Sequence, residues 1–63
     1  MEANRYEVIW GRSLSYANRL TIICDNNDEA IKVAEAIFAG YRYGGDCGFC
    51  YVRGEDFYKQ IAE

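Results

Sequence analysis

The chain has 63 residues, 51% apolar and 16% aromatic, with a net charge of −3 and neither histidine nor proline. One domain is all this length can form, and a body so small buries only about 60% of its unfolded surface, so this apolar share predicts contact with another chain, most simply a second copy. The acidic balance argues against long nucleic acid, and the missing histidine removes histidine metal sites, histidine triads and the commonest acid–base group near neutral pH.

In chain order, "RYEVIW" (5–10) predicts a strand, with Tyr6, Val8 and Trp10 alternating against Glu7 and Ile9. "GRSLSYAN" (11–18) predicts an exposed loop. "RLTIIC" (19–24) predicts a second strand, with Leu20, Ile22 and Cys24 on one face and Arg19, Thr21 and Ile23 on the other. "DNNDEAIKVAEAIFAG" predicts a helix over 27–39. Asn26 caps it, Glu29 completes a capping box, and Ala30, Val33, Ala34, Ile37 and Tyr41 form an apolar stripe widened by Ile31 and Phe38; Gly40 is placed at its C-terminal stop. "GFCYVR" (48–53) predicts a third strand. In the tail, Phe57 and Ile61, four residues apart, suggest a short helix. The expected fold is α+β in a single domain, 1–63: a small three-stranded, mainly antiparallel sheet with one helix on one face.

This order has the loops 11–18 and 40–47 share one end of the molecule, provided that each element crosses the layer once. The helix is expected over Leu20, Ile22, Cys50 and Val52. The other face then carries Ile23, Phe49 and Tyr51 beside Arg19 and Arg53. That face is too apolar for solvent alone, which marks Ile23, Phe49, Tyr51 and Arg53 as an oligomer interface.

The stretch "GYRYGGDCGFCYVRG" (40–54) concentrates five of the six glycines and two of the three cysteines. Four chemistries compete for it. Cys47 and Cys50 have the C-x-x-C spacing of a zinc clip, with Cys24 as a third thiol, but four ligands are needed and Asp25, Asp46 or a second chain would have to complete the set. A redox pair would open a helix, whereas this one runs into a strand. "GYRYGG" matches neither common nucleotide loop and precedes no helix N-terminus. A cradle built from both loops remains: Trp10, Tyr16 or Tyr43 would stack on a ring, Arg12 and Arg42 would hold phosphate, and Ser13, Gly44 and Asp46 would complete the contact. A helix C-cap followed by a glycine turn accounts for the same residues without a ligand, and Cys24 and Cys50 read best as small buried hydrophobes.

The whole chain resembles the small accessory proteins of bacteriophages, on its length, its α+β order and the loops "GRSLSYAN" and "GYRYGGD". The resemblance implies stoichiometric binding rather than turnover, as an oligomer: a protein that sequesters a compact nucleotide-like signal, or one that inhibits a host defence protein. It transfers no site residue. The expected partners are thus a second copy together with a nucleotide-type ligand or a host protein, with no cofactor, no bound metal and no enzymatic activity; a zinc module through the C-x-x-C is the further alternative. No apolar run approaches the roughly 18 residues of a membrane span, "MEANRYEV" lacks the order of a signal peptide, and three cysteines without a signal predict reduced thiols in a cytoplasm.

Overall fold

The computed structural model describes residues 4–42 and 48–62. Its elements are β1 (Asn4–Gly11), a 3-10 turn (Leu14–Tyr16), β2 (Ala17–Cys24), α1 (Asn27–Arg42), β3 (Phe49–Gly54) and β4 (Phe57–Ala62). The strands form one antiparallel sheet in the order β2-β1-β3-β4, with α1 across one face.

The fold is α+β as expected, but the sheet has four strands, not three, and the tail is β4 rather than a short helix. A spacing of four residues is about one helical turn and also two strand periods, so Phe57 and Ile61 share a face in either conformation. Tertiary pairing decides between them. Gly54 pairs with Phe57 across the turn Glu55–Asp56, and β4 then covers the outer edge of β3. Because β3 is thereby a central strand, Cys50 and Val52 are both 0% exposed.

β1 supplies the middle of the core. Tyr6, Val8 and Trp10 point under α1 and are buried with Cys24, Cys50, Val52, Ala30 and Ala34; Ile22, Ile31, Val33, Ile37, Phe38, Phe57 and Ile61 pack around them. The small residues Ala30 and Ala34 let the helix axis approach the sheet closely. The helix begins as its sequence requires: Asn26 Oδ1 accepts the N–H of Glu29 at 2.9 Å, while Glu29 Oε2 accepts the N–H of Asp25 at 2.8 Å. The second bond reaches one residue beyond the usual capping box.

α1 does not stop at Gly40 but continues to Arg42. A glycine ends a helix when it takes the left-handed conformation; the only positive φ in the described chain is at Gly11. At Gly11 it is crowding that demands glycine, since a Cβ there would lie 2.5 Å from the carbonyl oxygen of Tyr16 and 2.9 Å from Cα of Ala17. The predicted loop is accordingly tighter than 11–18: β2 starts at Ala17, opposite Gly11.

Candidate functional site

The register assigns each side chain to a face. Glu7, Ile9 and Gly11 on β1 pair with Thr21, Arg19 and Ala17 on β2, and with Arg53, Tyr51 and Phe49 on β3. These residues lie on the face away from α1. Ile9 is buried there between Arg19 and Tyr51. Beside it runs a row of rings. Phe49 and Tyr51 stack at 6.1 Å between centroids, and Tyr58 of β4 meets Tyr51 at 5.3 Å. Two positions apart on one strand puts side chains on the same side, so Phe49 and Tyr51 align by necessity; Tyr58 joins them diagonally across β3 and β4.

A charged row crosses the same face below the rings. Glu7 Oε1 accepts from Arg53 Nε at 3.0 Å and from its terminal nitrogen at 2.7 Å, and Glu7 Oε2 lies 3.8 Å from Arg19 Nε. The Arg53 hydrogen bonds, and after them the charges of Arg53 and Arg19, hold the Glu7 carboxyl below its ordinary value; the same pair raises the Arg53 guanidinium further. The four residues read from the sequence as an interface, Ile23, Phe49, Tyr51 and Arg53, therefore all lie on this one face, with Ile23 60% exposed. Tyr58 and Ile9 were not anticipated. Tyr58 follows only once the tail is known to be a strand. Ile9 was legible, being one register step from both Glu7 and Gly11.

The candidate cradle is described only in part. The backbone N–H of Gly48 donates to the carbonyl oxygen of Gly11 at 2.7 Å, so the start of β3 meets the β1–β2 loop, and α1 ends at Arg42 on the way there. Arg12, Ser13 and Tyr16 are exposed on that loop, Tyr16 at 78%. Trp10 is 6% exposed and belongs to the core under α1. Its alternation with Tyr6 and Val8 was the sequence signal for this placement. The Arg42 side chain, Tyr43, Gly44 and Asp46 lie outside the described residues, as does Cys47.

At the opposite end, a cleft of about 560 Å³ opens between the start of β1, the start of α1 and the β3–β4 turn, lined by Arg5, Tyr6, Asn27, Arg53, Glu55 and Asp56 among others. The Tyr6 hydroxyl donates to Asn27 Oδ1 at 2.7 Å within it. Gly54 leaves room for the Tyr6 ring, which also meets Phe57 edge-on at 6.0 Å. Glu7, Glu55 and Asp56 on this lining offset Arg5 and Arg53, so the cleft is not a basic pocket.

Cys24 and Cys50 are both buried, and the Cys50 thiol points at the Ala34 carbonyl oxygen at 3.7 Å. Burial, reinforced by Glu29 and Asp25, pushes the Cys24 thiol up, away from the thiolate that a nucleophile or a metal requires. Among the described residues no group of three or more Cys, Asp or Glu is placed to hold a metal ion, and no helix is long and apolar enough to cross a membrane. No family model matches the chain, and no curated protein or solved structure is significantly similar to it.

Proposed function

We propose that this chain is a non-enzymatic binding protein whose working surface is the open face of its sheet and whose partner is another protein. The observation that carries this reading is the contiguous row Phe49–Tyr51–Tyr58 on a sheet face that no described element covers, bordered by the Arg53–Glu7–Arg19 charges. Aromatic rings and arginine are the side chains that dominate protein interfaces, and a flat face matches a flat partner. A compact ligand instead needs a concave site that encloses most of its surface. The cleft at the β3–β4 turn is concave, but its acidic side chains disfavour an anion. If the resemblance to phage accessory proteins holds, the partner is a host protein and the action is stoichiometric inhibition.

One observation favours a second reading, sequestration of a nucleotide-type ligand. The Gly48–Gly11 hydrogen bond draws the start of β3 against the loop bearing Arg12, Ser13 and Tyr16. Stacking there would contribute about 1–3 kcal/mol per base, and each guanidinium–phosphate bond about 1.5–3 kcal/mol.

The two readings part experimentally. The parent chain, a Tyr51→Ser/Tyr58→Ser variant and an Arg12→Ala variant are used as baits in cells that make the protein, and each is tested by thermal shift against linear and cyclic nucleotides. The first reading expects one protein captured at near-equal stoichiometry, retained by Arg12→Ala and lost with the tyrosines, since interface hot spots contribute about 2 kcal/mol or more each. Capture indifferent to Tyr51 and Tyr58, or stabilisation by a nucleotide that Arg12→Ala abolishes, sinks it.

A further inference from the structure

The two edges of the sheet meet solvent differently. β4 exposes Lys59 and Gln60, and its pairing with β3 is irregular at Cys50/Tyr51. Edge charges and bulges are the devices that keep a sheet from recruiting a further strand. β2 has no bulge and a single charge, Arg19: it runs eight residues, Ala17–Cys24, in unbroken register with β1. It exposes large apolar side chains on both faces, Leu20 at 45% on the helix side and Ile23 at 60% on the open side. Among the described residues no strand pairs with its outer edge.

We propose that β2 pairs with β2 of a second copy, antiparallel about a two-fold axis perpendicular to the sheet, so that two four-stranded sheets become one. The register follows from charge. Directly opposed residues of an antiparallel pair lie on the same face, which leaves only registers that match like faces. Centring the axis on Leu20 sets Arg19 against Thr21, and centring it on Thr21 sets Arg19 against Ile23; neither adds a carboxylate of the second copy to the Glu7 that Arg19 already meets at 3.8 Å in its own chain. Centring it on Ile22 sets Arg19 against Asp25 of the second copy, at both ends of the seam. It also opposes Leu20 to Cys24, Thr21 to Ile23 and Ile22 to its own counterpart, apolar to apolar on the helix side. The helix cap uses the backbone N–H of Asp25 and leaves the carboxylate to this role. The alternating outward N–H and C=O groups of β2 satisfy one another across the axis.

This arrangement moves self-association from the open face to the edge. Ile23 belongs to the seam, while Phe49, Tyr51 and Tyr58 stay uncovered. A perpendicular two-fold also keeps both open faces on the same side, so the assembly presents two copies of the aromatic row to a partner.

Sedimentation equilibrium at micromolar concentration tests the seam, with circular dichroism as the check on folding. The parent chain sediments at twice its 7.2 kDa mass. Leu20→Lys/Ile23→Lys, both at exposed positions, sediments as a single folded chain. Arg19→Glu raises the dissociation constant about tenfold by setting like charges against each other at both ends, and Asp25→Arg in combination restores it. Tyr51→Ser/Tyr58→Ser stays dimeric. The proposal is overturned by a monomeric parent, by a dimer that survives the two lysines or is lost with the two tyrosines, or by a charge swap that fails to restore association.

Discussion

Glu7 sits between two guanidinium groups on the open face, and its depressed pKa ties that ion network to pH. A carboxyl held below its ordinary value of 4.5 in the folded chain stabilises the fold when ionised. That contribution is complete above the unfolded pKa and is lost as pH falls through the lower folded one. The network is exposed to solvent, so the effect is modest and screened by salt. Urea unfolding of the parent and of Glu7→Gln between about pH 3 and pH 7 reads it directly. The gap between the two midpoints is expected to be constant near neutrality and to close as the solution is acidified below the carboxyl's unfolded pKa. A gap that widens with acid would mean that Glu7 is not held by Arg53.

Within the elements, two glycines that look alike in the sequence have opposite roles. Gly40 lies inside α1, and a Cβ added there meets nothing within 4 Å. The glycine costs about 0.5–1 kcal/mol of helix stability relative to alanine through backbone freedom in the unfolded chain. Gly40→Ala should recover that amount. Gly54 closes the β3–β4 turn, and its Cβ would sit 2.9 Å and 3.0 Å from two carbons of the Tyr6 ring. The ring is buried and hydrogen-bonded to Asn27, so it has little freedom to move aside. Gly54→Ala should therefore destabilise by about 1–3 kcal/mol through overpacking. In thermal melts of so small a domain, 1 kcal/mol corresponds to about 4–8 °C, so the two variants should move the midpoint in opposite directions. A stabilising Gly54→Ala would show that Tyr6 is not fixed in the cleft.

For the molecule as a whole, β4 is the element that turns a hairpin and a strand into a closed core. Without it β3 is an edge, Cys50 and Val52 lose their cover on one side, and Phe57 and Ile61 leave the packing under α1. A fold of this size has only a few kcal/mol to spare. A chain ending at Gly54 is expected to lose cooperative unfolding in urea and the near-ultraviolet signal of its buried Trp10. A sharp transition in that shortened chain would place the stabilising contacts elsewhere.

The local rules were enough to locate β1, β3, the capped start of α1 and the two-faced character of β2, because alternation and capping act over a few residues. They also placed Phe49, Tyr51, Arg53 and Ile23 together, since a strand's period of two leaves no choice once the helix-covered face is known. The order of elements also implied that the loops 11–18 and 40–47 share one end; the Gly48–Gly11 hydrogen bond brings the start of β3 to the first of them, while 43–47 lie outside the described residues. Other features depended on partners distant in sequence. Spacing alone could not separate strand from helix in the tail, because four residues satisfy both periods; pairing with β3 decided it. Gly40 gave no sign of lying inside the helix, because glycine ends a helix only where it adopts a left-handed conformation. The burial of Trp10 followed from which face α1 covers, and the cleft beside Tyr6 from three segments that only the fold brings to the same end. Propensity and periodicity are properties of neighbouring residues, whereas edges, faces and clefts exist only after strands have been paired, and so these the tertiary structure alone decided.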